Sequence, residues 1–258
     1  MTLLAILAAT LLAGVGSVWL AAWLGFGVLA RYTQHMLSLA AGALLATAFM
    51  HLLPEAFESQ VGSDQLFPTL LVGLIFFFLL DKAELWHHGH EHHHGHHHSH
   101  DAHGVQEGHQ HRTGGSWAIL TGDSVHCFGD GVLIASAFVA DMRLGVVAAL
   151  AVLMHEVPHH MGDLAVLRQA NDNRRMALLK VSLAGAVTAM GGLVGYFLVA
   201  QLHDYLPYFL AVASSSFLYV ALADLIPQLQ KKLSARETAA QIVRLATGLR
   251  LVTLASPL

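Results

Sequence analysis

The chain's 258 residues are 55% hydrophobic and only 12% charged, with a mean hydropathy of +0.56, which argues against a soluble domain and makes a lipid bilayer its natural solvent. The net charge is −4 and the basic residues are scattered between apolar runs, so no nucleic-acid-binding face is expected. The single cysteine, Cys127, cannot form an intramolecular disulfide and must serve as thiol, ligand or filler.

A membrane span needs about 20 mostly apolar residues. Runs of that kind, bounded by charge or turn residues, predict eight helices over 3–29, 33–55, 66–86, 116–140, 144–167, 176–202, 206–229 and 237–256. The expected fold is an all-α membrane protein, with residues 1–258 forming one transmembrane domain. Residues 1–30 carry no charged side chain, so the basic leader of a secretory signal is missing and the first run reads as an uncleaved span. The second run holds His51 and Glu55 four residues apart near its outer end, a spacing that suits an entrance site or ordinary interfacial polarity. After the third run, residues 87–111 hold thirteen of the twenty histidines and almost no apolar side chain. That segment is expected to be disordered, acting as a metal sensor or collector or as a neutral linker. Glycines 185, 191, 192 and 195 in the sixth run predict close helix packing. Asp224 falls near the inner end of the seventh run, where an exit residue or a cap is expected. The eighth run contains Arg244 and Arg250, both able to snorkel toward an interface.

Lysine and arginine collect in cytoplasmic loops. Arg31, Lys82, Arg112, Arg168, Arg174, Arg175, Lys180, Lys231, Lys232 and Arg236 fall in or beside the first, third, fifth and seventh connections, against Arg143 alone on the other side. Both termini are therefore expected outside the cytoplasm, with residues 87–111 inside it.

Ionisable side chains within a span are costly and mark cavities or pathways. The fourth helix reads Asp123-Ser-Val-His126-Cys127-Phe-Gly-Asp130-Gly131, in which a spacing of four stacks His126 and Asp130 on one face, with Cys127 flanking it. The fifth reads His155-Glu156-Val-Pro158-His159-His160-Met-Gly162-Asp163, placing His155, His159 and Asp163 on one stripe with Glu156 and His160 beside them. His126 and His155 both fall near mid-span, so the two clusters are expected at one depth. Imidazole nitrogen, carboxylate oxygen and a thiol form a borderline ligand set that favours Zn2+ and leaves Fe2+, Mn2+ and Cd2+ open. Pro158 predicts a kink beside this cluster.

HCFGDG and HEVPHHMGD together resemble the signature helices of the ZIP (Zrt/Irt-like) metal transporter family, in its branch with HN-x-x-DG and HEXPHEXGD. GALLATAFMHLLPEA at 42–56 is similar to that family's second helix, and SSSFLYVALADLIPQL at 214–229 to its seventh. The resemblance implies divalent-metal uptake into the cytoplasm by alternating access. It also implies a multi-pass homodimer in a plasma membrane or bacterial inner membrane, with no organic cofactor and no enzymatic activity. It further implies a binuclear centre, with His126, Asp130, His155 and His159 on one ion and Cys127, Glu156 and the shared His159 on a second. Cys127 stands where the family has asparagine and His160 where it has an acidic residue. The sixth helix offers no carboxylate.

Two other classes share part of the pattern. His155-Glu156-Val-Pro158-His159 satisfies the H-E-x-x-H frame of a zinc metalloprotease, with Glu156 as general base, although a proline between the histidines distorts that frame. A cation-diffusion-facilitator exporter also carries histidine-rich loops, but usually has six spans.

Overall fold

The computed structural model of the chain describes residues 1–24, 33–89, 114–170, 173–230 and 234–255. These form eight helices and no strand: α1 (Thr2–Leu24), α2 (33–57), α3 (Ser63–Gly89), α4 (Gly114–Ala140), α5 (Met142–Ala170), α6 (Arg174–Gln201), α7 (His203–Leu229) and α8 (Ala235–Ala255). The helix bounds follow the apolar runs closely, because a span is a local property of about 20 residues. The expected end of the first helix, 25–29, and most of the histidine-rich segment, from residue 90 onward, lie outside the described residues.

Seven of the helices, α1 to α7, are long and apolar enough to cross a membrane. The eighth is helical where expected but falls outside that group, because Arg236, Glu237, Arg244 and Arg250 dilute its apolar content. It starts at a capping box: the Ser234 amide donates to Glu237 Oε2 at 2.9 Å, and the Glu237 amide returns to Ser234 Oγ at 3.4 Å.

Close helix approach organises the bundle. A Cβ at Gly131 of α4 would collide with the Thr188 carbonyl oxygen of α6, and one at Gly191 of α6 with the Phe128 carbonyl oxygen of α4, so this pair tolerates no side chain. All four glycines singled out in the sixth run are buried. In the same way Gly42 and Gly248 bring α2 and α8 together, each facing the other helix's backbone.

Pro158 lies inside α5 without interrupting it. The irregular turns fall elsewhere, as π-helical turns at Leu12–Gly16 in α1, Ala48–Leu52 in α2 and Val220–Leu225 in α7. The last two end just ahead of Pro54 and Pro227. Each proline lacks an amide donor and crowds the carbonyl four residues back, that of Met50 and that of Ala223 respectively. A widened turn relieves both conflicts, and such turns often sit at functional positions.

Candidate metal centre

A one-residue connection sets the register of the centre. Asp141 ends α4 and caps α5, its Oδ1 accepting from the Arg143 amide at 2.8 Å and the Leu144 amide at 3.1 Å. His126 lies fifteen residues before this turn and His155 fourteen after it. At 1.5 Å per residue that is about 22 and 21 Å, so the hairpin levels the two histidines. Their Nε2 atoms stand 3.4 Å apart.

Three groups of ligand atoms form along this hairpin, each within 4.8 Å. In the first, His155 Nε2 lies 3.2 Å from Asp130 Oδ2 and 3.4 Å from Glu156 Oε1, while His126 Nε2 is 3.4 Å from the same Glu156 oxygen. Asp130, His155 and Glu156 are buried. Glu156 Oε1 and Asp130 Oδ2 have no hydrogen-bond donor in acceptable geometry among the described residues. Buried carboxylate oxygens are costly without a partner, and a cation shared with the facing imidazoles would satisfy them.

The second group comprises Asp123, Cys127, Glu156 and His160, all buried. Cys127 Sγ is 3.6 Å from Asp123 Oδ1 and 4.0 Å from both Glu156 Oε2 and His160 Nε2. Ser17 of α1 sits 2.9 Å from His160 Nδ1, which fixes the ring so that its other nitrogen faces Glu156 Oε2 at 3.1 Å. The third group is Asp123, His159 and Asp163, where His159 Nε2 lies 3.6 Å from Asp123 Oδ1 and 3.7 Å from Asp163 Oδ2.

The donors therefore divide differently from the partition that the resemblance implies. Glu156 spans the first two groups, one carboxylate oxygen in each. His159 stands with Asp123 and Asp163, and His160 accompanies Cys127. The two histidines of the H-E-x-x-H frame fall in separate groups, unlike the paired ligands of a protease zinc site. Asp123 is not among the donors expected from the sequence, although it precedes Cys127 by the same helical spacing of four that relates His126 to Asp130. Ser17 gave no signal, since nothing local ties a serine of α1 to a histidine 143 positions away.

A cavity of about 430 Å3 opens onto this centre. Asp123, His126, His155, Pro158, His159 and Asp163 line its floor and wall, with Asp81, Asp224 and Gln228 toward its mouth. Tyr219 donates its hydroxyl to Asp81 at 2.8 Å, and Gln228 its amide to Asp224 at 2.7 Å. The lining comes from the later halves of α3, α5 and α7 and the early parts of α2 and α4. The cavity thus opens at the end of the bundle to which residues 90–113 connect. His51 is buried in the π-helical turn of α2 and Glu55 is exposed beyond it; neither lines this cavity or joins a ligand group among the described residues.

Residues 81–256 match the family described as "ZIP Zinc transporter". The chain is 42% identical to the human zinc transporter ZIP4 over 115 residues, covering 45% of this chain and 18% of that protein. It is 34% identical to zebrafish (Danio rerio) zinc transporter ZIP10 over 114 residues, covering 44% of the chain and 14% of that protein. Against the zinc transporter ZIP13 of Pongo abelii it is 27% identical over 245 residues, covering 88% of the chain and 68% of that protein. The chain thus spans less than a fifth of the ZIP4 and ZIP10 relatives.

Proposed function

The chain belongs to the ZIP zinc transporter family, and on that premise we propose that it carries Zn2+ or a similar divalent cation through the bilayer by alternating access. One observation carries this reading: His126, Asp130, His155 and Glu156 converge at mid-span beneath a cavity open to one end of the bundle. Asp130 and Glu156 together balance the charge of one divalent ion, and the two imidazoles replace part of its hydration shell. A desolvated cation is then neutralised where the bilayer would otherwise exclude it. The nitrogen-oxygen donor set favours Zn2+, with Fe2+, Mn2+ and Cd2+ as weaker competitors.

The cavity opens at the end where the basic connections gather. By the excess of lysine and arginine in cytoplasmic loops, that end faces the cytoplasm and the cargo is released there. His51 and Glu55 then mark the outer, closed end, where ions enter, and α8 adds an eighth span that returns the C-terminus outside. The protein works as a homodimer in a plasma membrane, or the inner membrane of a bacterium, and residues 87–111 sample cytoplasmic metal.

Uptake of radiolabelled Zn2+, Fe2+ and Mn2+ into oriented vesicles tests this, with gradients set in both directions. Outer-shell partners of a metal are worth about 10–100-fold. Loss of a direct ligand should exceed that, so His126→Ala, Asp130→Ala and His155→Ala should each abolish flux while leaving folded protein in the membrane. Flux unchanged in these variants would refute the assignment.

A further inference from the structure

The third ligand group lies outside the central cluster. We infer that Asp123, His159 and Asp163 form a separate release site for a partly hydrated divalent cation on the cavity wall. Asp123 and His159 each lie eighteen residues from Asp141, so the hairpin register levels them one turn closer to the cavity mouth than His126 and His155. His159 Nε2 faces Asp123 Oδ1 at 3.6 Å and Asp163 Oδ2 at 3.7 Å. Asp123 is 96% buried, and its Oδ2, like Asp163 Oδ2, has no hydrogen-bond partner among the described residues. Its Oδ1 also faces Cys127 and His160, each at 3.6 Å, which ties this wall to the buried second group.

Side-chain exposure rises along the histidines, from 3% at His155 to 24% at His126 and 40% at His159. The rings of His126 and His159 are 5.5 Å apart and tilted by 34°. An ion leaving His126 therefore meets His159 next, in a place where water completes its shell. Asp123 and Asp163 supply two negative charges, matching Asp130 and Glu156 in the central group. Transfer between the two sites thus exchanges one neutralised dication for another and raises no large Coulomb barrier. Three protein donors leave positions open to water, so an ion held there can begin to rehydrate before it parts from the protein.

The role in release rests on the transport reading; the binding itself does not. The test is Mn2+ titration of the purified full-length protein, reading free Mn2+ by electron paramagnetic resonance. Mn2+ is the probe because the imidazole-rich segment 87–111 holds this harder ion weakly, whereas carboxylates suit it. Asp163→Asn and His159→Gln should each bind one Mn2+ fewer than the native chain, and Asp130→Asn should lose the other ion while keeping this one. A binding curve for Asp163→Asn superimposable on the native one would overturn the site, as would loss of all bound Mn2+ in Asp130→Asn. If Asp163→Asn fails to fold, His159→Gln decides alone. Intact stoichiometry without flux in vesicles would count against transport and still support the site.

Discussion

The second and seventh helices carry one device at opposite ends of the bundle. His51-Leu-Leu-Pro54-Glu55 and Asp224-Leu-Ile-Pro227-Gln228 share a polar residue three positions before a proline, and in both the polar residue sits in a π-helical turn. The helices run antiparallel, the turn of each packing against the first half of the other. Yet His51 is buried while Asp224 is exposed on the cavity wall. Sequence pattern and local backbone are alike; only the surrounding helices differ. Around Asp224, α3, α4 and α5 stand apart and leave a cavity, whereas around His51 the neighbouring side chains close over it. The alternating access proposed above requires this asymmetry, because both ends must not open together.

The largest effect that would break this comparison is on access. In Asp224→Cys, a membrane-impermeant thiol reagent applied from the side of residues 87–111 should react on the order of 100-fold faster than in His51→Cys, because a thiol must be reached by solvent to react. Native Cys127 is fully buried and supplies the background rate. Equal rates at the two positions would show that the ends do not differ in solution.

A smaller effect concerns what seals the closed half. Gly131 and Gly191 hold α4 against α6 just beyond the metal centre, where an added side chain meets backbone rather than a flexible neighbour. Gly131→Leu should destabilise the fold by about 1–3 kcal/mol, as overpacking does. It should lower the thermal midpoint in detergent, whereas Gly129→Ala, with open space at its Cβ position, should leave the midpoint near native. Matching midpoints for the two variants would contradict the close approach.

The smallest effect is expected from deleting residues 87–111. Maximal flux should stay close to native, since the three ligand groups among the described residues take every donor from α4 and α5, while the response to zinc on the side of that segment changes. Complete loss of uptake by a correctly folded deletion variant would show the segment to be part of the path.

Much of the centre was legible because helical spacing is local. The four-residue steps from His126 to Asp130 and from His155 to His159 name a face before any neighbour is known. Asp123 belongs to the same logic through Cys127, four residues on, but its partners His159 and Asp163 lie on the facing helix, where spacing within α4 does not reach. Ser17 was not legible at all. Its contact with His160 depends on how α1 crosses α5, which no local spacing encodes.

The sequence by itself determined where the helices run, that polar side chains gather on two adjacent ones, and that His126 and His155 share a depth. The first and third follow from apolar length and residue rise, and the second is read directly from the residues. Tertiary structure alone decided which donors meet. Spacing puts His159 on the same stripe as His155, but the packed hairpin turns it toward Asp123 and Asp163 and lets Glu156 reach two groups at once. It also decided which end is open, because access depends on how far neighbouring helices stand apart, and a single helix carries no record of that distance.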